Sequence, residues 1–159
     1  MTGLRVWGLI AALAFGLWGC GGDEAPKRAL ELGGGFKAEA QEGVKATLKI
    51  PAVVSPDAAL IQGEVTLENS ANDIVAVSVP RSCDVYDWVM RDAADKLVMT
   101  KDPVECAEQP ATKSLAPGAI VVEKVWLYMS PNTMHSGNKY KIDYRFWGQP
   151  AQAEFTARR

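Results

Sequence analysis

The chain has 159 residues and a formal net charge of −2, with 48% of its residues hydrophobic and 23% charged. That length and apolar share support one domain with a substantial core. The slightly acidic balance excludes a basic, phosphate-neutralising surface and with it nucleic acid as a partner.

The first element is an export signal. Arg5 supplies a positive charge, residues 6–17 are apolar, and Leu17-Trp18-Gly19-Cys20 ends the run where the lipid-attachment box of a bacterial lipoprotein would stand. The run from Val6 to Gly19 is shorter than the roughly 20 residues a bilayer core requires, which disfavours a membrane-spanning helix. The expectation is a signal peptide over residues 1–19, with lipidation of Cys20 anchoring the chain to the membrane outside the cytoplasm. Gly21, not Asp, follows the cysteine. By resemblance to sorting in enteric bacteria, that leaves the periplasmic face of the outer membrane open as the destination.

Residues 20–35 change to glycine, charged residues and Pro26, closing with Gly33-Gly34-Gly35. This composition predicts a flexible tether reaching about 20 Å. A domain over residues 36–159 follows.

From there period-two patterns dominate. Val44, Ala46, Leu48 and Ile50 alternate with polar residues in a first strand, and Ile61, Gly63, Val65 and Leu67 in a second. A turn over residues 69–73 leads to a third strand, 74–79, which ends at Pro80. Tyr86, Trp88 and Met90 alternate with Asp87, Val89 and Arg91, and a turn over 92–95 makes a hairpin with residues 96–99. Residues 101–119 read as a long polar crossing. Strands return over 120–129 and 139–147, and Gly148-Gln149-Pro150 turns into a last strand over 151–157. Seven or eight short strands with turn-rich joints predict an all-β fold, a β-sandwich.

With Cys20 lipidated, Cys83 and Cys106 remain as an even pair in an oxidising compartment, which predicts a disulfide. It would brace the polar crossing and stabilise the fold by about 3 kcal/mol in the chain-entropy description. Tyr140, at the start of a late strand, has the placement of a tyrosine corner, in which the ring hydroxyl bonds back to upstream backbone.

Catalytic and metal-binding patterns are sparse. His135 is the one histidine; neither a nucleophile elbow nor a glycine-framed serine accompanies it, so no catalytic residue is assigned. Met129, Met134 and His135 are soft donors of the kind copper takes, without ligand spacing to support a site. Asp84, Asp87, Asp92 and Asp95 offer oxygen ligands but lack the glycine and terminal Glu of a calcium loop, and read instead as turn carboxylates. No metal or cofactor is expected.

The positive signal for binding is aromatic. If Tyr140, Ile142, Tyr144 and Phe146 point inward, Arg145 and Trp147 point outward. On the neighbouring strand, either Trp126 and Tyr128 or Val125, Leu127 and Met129 do so. A surface of Trp126, Tyr128, Arg145 and Trp147 has the composition of an interaction hot spot.

The strand ending in Leu67-Glu68-Asn69-Ser70 carries a family resemblance, together with Asp87-Trp88-Val89-Met90-Arg91-Asp92, Lys96-Leu97-Val98, Leu115-Ala116-Pro117-Gly118 before a Trp-bearing strand, and Gly137-Asn138-Lys139-Tyr140. Together they resemble the immunoglobulin-like domain of the BsuPI type, that of an intracellular proteinase inhibitor, over roughly residues 44–157. The resemblance implies the sandwich fold. Protease inhibition is its functional implication, and no inhibitory residue is carried over.

The sequence thus predicts a lipid-anchored cell-envelope module without catalytic activity that presents a sheet face or loops to an envelope protein. The alternative is protease inhibition through the segment from Cys83 to Cys106. An envelope enzyme would have to work through His135.

Overall fold

The computed structural model describes residues 40–106 and 108–159; the export signal, Cys20 and the tether expected over residues 20–35 lie outside the described residues. Ten strands follow in order: β1 Val44–Lys49, β2 Val53–Val54, β3 Leu60–Asn69, β4 Val75–Val79, β5 Tyr86–Asp92, β6 Leu97–Thr100, β7 Ala111–Leu115, β8 Ile120–Tyr128, β9 Lys139–Phe146 and β10 Gln149–Ala157. Among the described residues the one helical element is a 3-10 turn, Ser82–Val85.

The strands form a three-stranded sheet β1-β3-β8, a five-stranded sheet β2-β10-β9-β5-β6, and a two-stranded ribbon β4-β7. Ala46, Leu48, Val65, Leu67, Val125 and Leu127 of the smaller sheet share one core with Trp88, Met90, Tyr140, Ile142, Tyr144, Phe146 and Phe155 of the larger. This is an all-β sandwich. Its stability rests on alternation: each side chain of this size taken out of water contributes about 1.5–3 kcal/mol, and period two delivers such residues to one face of every strand.

Two strands exceed the seven or eight expected. β2 is two residues long and pairs in parallel with Thr156 and Ala157 of β10. β7 lies within the stretch expected to be an irregular crossing, and pairs antiparallel with β4 from Val75↔Leu115 to Val79↔Ala111. Only Leu115 of β7 is fully buried, so the segment lacks the alternating apolar signal. The last turn also sits earlier than expected. Phe146 pairs with Gln149, leaving Trp147 and Gly148 as a two-residue connection with φ of 50° and 77°, the left-handed pair of a type I′ hairpin. Pro150 is a strand residue. The edge of β10 beside it is open because β2 reaches only Thr156 and Ala157, so its missing N–H is not needed there.

Gly63 is fixed by close approach, since a Cβ there would lie 2.6 Å from the Lys49 carbonyl oxygen and 2.8 Å from Ile50 Cγ2. β4 follows β3 and β7 precedes β8, so the β3-β8 pair and the β4-β7 pair are consecutive lengths of one bent ribbon. Asn69 pins the bend. Fully buried, its Nδ2 donates to the carbonyls of Asp73, Leu115 and Ala116 at 2.9, 3.0 and 3.0 Å, and its Oδ1 accepts from the Ala71 N–H. A side chain placed in the sequence as a turn former thus holds both strands of the corner.

Candidate interaction surface

The register of β8 decides which of its residues face solvent. Val125 and Leu127 are buried, with Met129 beyond the strand end, while Ile120, Val122, Trp126 and Tyr128 are 61, 52, 49 and 67% exposed. These four lie on the outer face of the smaller sheet, opposite Glu68, Thr66, Gln62 and Leu60 of β3. Lys124 interrupts the stripe and continues the row of alternating charge Lys49↔Glu64↔Lys124. Four large exposed apolar side chains on one strand form a surface patch of the kind that marks interaction sites.

The patch borders a groove. Trp126 and Tyr128 line a cleft of about 360 Å³ together with Lys124, Tyr86 on β5, and Tyr144 and Phe146 on β9, where β8 ends the smaller sheet. Tyr144 is buried at its floor, and loss of hydration pushes its phenol well above the ordinary value. The groove therefore keeps a neutral phenol at its floor, while Glu123 and Lys124 add one charge of each sign to its lining.

The expected four-residue face divides. β8 and β9 are not sheet neighbours: β8 pairs with β3, and β9 with β5 and β10. Trp126 and Tyr128 consequently lie on the outside of one sheet, while Arg145 belongs to the other, opposite Asp87. Trp147 departs from the expectation twice, being a turn residue and packing partly buried against the core. Its N–H donates to the Val85 carbonyl at 2.7 Å, Lys113 Nζ lies 5.6 Å from its ring, and its Nε1 is enclosed without a hydrogen-bond partner.

The outer face of the larger sheet is occupied by internal pairing. Asp143 is buried, 3.2 Å from Arg91 Nε and 3.8 Å from Lys141 Nζ, and accepts from Gln152 Nε2 at 2.8 Å. Lys141 also pairs with Asp95 at 3.0 Å, which holds the Asp95 carboxyl below its ordinary pKa and raises that of Lys141.

Cys83 and Cys106 are joined by a disulfide, with Cα atoms 5.9 Å apart. Beside it Lys101 Nζ donates to the Cys83 and Tyr86 carbonyls at 3.2 and 2.9 Å and sits 4.1 Å above the Tyr86 ring. Burial pushes Lys101 down and neighbouring Asp87 up, each against the other's opposite charge. Desolvation outweighs attraction for both groups.

Of the four aspartates, three make bonds local in sequence, and Asp95 is the partner of Lys141. Asp84 accepts from Arg81 Nε and Nη2 at 2.9 and 2.7 Å, Asp87 from the Trp88 N–H, and Asp92 from the Ala94 and Lys96 N–H groups. Among the described residues no group of three or more His, Cys, Asp or Glu side chains converges on a metal-sized site. Met129 and Met134 are core residues, while His135 is exposed. The His135 N–H donates to Tyr140 Oη at 2.8 Å. The Tyr140 ring is buried and stacked on Phe155, with centroids 5.5 Å apart.

No protein-family model and no curated protein sequence matches the chain. Among solved structures, the alkylpurine DNA glycosylase AlkC of Pseudomonas fluorescens, bound to DNA containing an abasic-site analogue, is similar over 74% of this chain and 31% of its own, at 19% identity and a TM-score of 0.43. The sporulation control protein Spo0M of Bacillus subtilis is similar over 74% and 50%, at 10% identity and a TM-score of 0.44. The β-glucosidase EmGH1 of Erythrobacter marinus follows over 72% and 15%, at 12% identity and a TM-score of 0.41. The chain spans half or less of the length of each.

Proposed function

We propose that this chain is a lipid-anchored module of the bacterial cell envelope that binds an envelope protein and performs no chemistry of its own. The observation that carries the reading is the exposed stripe Ile120, Val122, Trp126 and Tyr128 on β8. Tryptophan and tyrosine at the centre of a contact supply large area at little entropic cost. The lipid-attachment pattern ending at Cys20 and the Cys83–Cys106 disulfide support an oxidising, extracytoplasmic location.

In this reading Cys20 supplies the anchor and the tether supplies reach. The sandwich supplies a rigid platform on which the aromatic side chains are already placed. The test has two arms. Radioactive palmitate should label the expressed chain, and Cys20→Ser should abolish the label and move the protein to the soluble fraction. The anchored protein should co-purify with a defined envelope protein, and the paired substitutions Trp126→Thr and Tyr128→Thr should remove it. Absence of label would overturn the location, and retention of the partner would overturn the surface.

A further inference from the structure

Building on the reading of β8 as the binding surface, we propose its binding mode: an extended peptide segment adds as a strand to the free edge of β8, with alternate large apolar side chains directed into the groove beside it. β8 ends its sheet, and its ladder among the described residues is with β3, from Leu60↔Tyr128 to Glu68↔Ile120. One row of its backbone N–H and C=O groups therefore faces outward. An extended chain matches such a row, and a helix or a compact surface does not.

Two of the usual guards of a sheet edge, a proline and a bulge, are missing. β8 contains no proline, its register with β3 runs unshifted, without a bulge, and its two charges, Glu123 and Lys124, are adjacent and opposite. Glu123 is further matched by Lys113 Nζ at 3.7 Å. Natural edges open to solvent normally carry such guards against pairing with another chain. A near-neutral edge calls for an occupant that is itself near neutral.

The groove specifies the side chains. In an added strand every second residue points to the same side, here into the cleft walled by Tyr86, Tyr144 and Phe146. Its volume of about 360 Å³ and aromatic walls suit large apolar groups. The topology selects a single strand over a second copy of this chain. The larger sheet continues from β5, which carries Tyr86, to β6, and so projects past β8. Two sandwiches joined edge to edge through β8 would bring both projections into the same space, whereas one extended segment rests on the ledge.

The probe is a phage-displayed library of random linear peptides, panned against the full-length anchored protein in detergent, with the selected peptides synthesised. Selected sequences should alternate large apolar with other residues, and their binding should slow hydrogen exchange at β8 amides by about tenfold or more. N-methylation of alternate residues should abolish binding in one register and spare it in the other, because only one set of N–H groups meets β8. Tyr86→Ala, half-exposed in the parent, should weaken binding about tenfold while unfolding as the parent does. Selected peptides without alternation, unchanged β8 exchange, or indifference to both N-methylation registers would each overturn strand addition. If those results came while Trp126→Thr with Tyr128→Thr still removed the envelope partner, the surface would stand and only this mode would fall. Loss of neither partner nor peptide on those substitutions would remove both.

Discussion

The two outer faces of the sandwich meet solvent in opposite ways. On the larger sheet, Asp143 is enclosed by Arg91, Lys141 and Gln152, so its polar groups are already matched within the chain. On the smaller sheet, β8 ends the sheet and exposes Ile120, Val122, Trp126 and Tyr128. A face whose charges are mutually satisfied offers a partner little. An unpaired edge with exposed rings leaves both main-chain hydrogen bonds and apolar area to be gained on contact.

Substitutions can break or sharpen this contrast. The largest effect is expected at the joint common to both regions. Asn69→Ala removes the side chain that ties Asp73, Leu115 and Ala116 together, leaving buried carbonyls unmatched, and should cost about 4 kcal/mol in urea unfolding. Next is Asp143→Ala, which strands Arg91 on a largely buried site and should cost about 3 kcal/mol, without touching partner capture. An Asp143→Ala protein as stable as the parent would show that the charged face is not held by its own pairs.

A smaller effect concerns pH. Burial raises Asp87 above its ordinary value of 3.8, so the folded protein holds that proton more tightly than the unfolded chain. Stability from this group is then highest at low pH and declines as pH rises from the ordinary value through the raised one. Asp87→Asn, which keeps an oxygen to accept from the Trp88 N–H, should flatten that segment of the stability profile. A profile identical to the parent's would contradict the burial effect. The smallest stability effect belongs to the other face: Trp126→Thr and Tyr128→Thr should each leave unfolding within about 0.5 kcal/mol of the parent, as exposed positions do. A larger loss would mean that these rings serve the fold.

Much of this architecture was legible because alternation is a local signal. β1, β3, β8 and β9 follow directly from which residues of each strand are apolar, and burial of Val125 and Leu127 resolves the direction left open for β8. β7 escaped because its ladder to β4 is made by backbone groups that every sequence carries, with Leu115 its single fully buried side chain. The four-residue face failed as a unit for a different reason. Period two assigns residues to the two sides of a strand but says nothing about which sheet the strand joins, and consecutive strands β8 and β9 went to opposite sheets. Trp147 was further displaced because the two-residue turn fell on it, a conformation unusual for a bulky residue. Asn69 was visible as a turn former, but its burial depends on β7 arriving from distant sequence.

The central claim is that the β8 face is the one a partner meets. A photoreactive phenylalanine analogue placed at Tyr128, and separately at Gln152 on the opposite face, and irradiated in living cells tests it most directly. A discrete adduct from Tyr128 and none from Gln152 is the predicted result; adducts from Gln152 alone, or equal adducts from both positions, would contradict it.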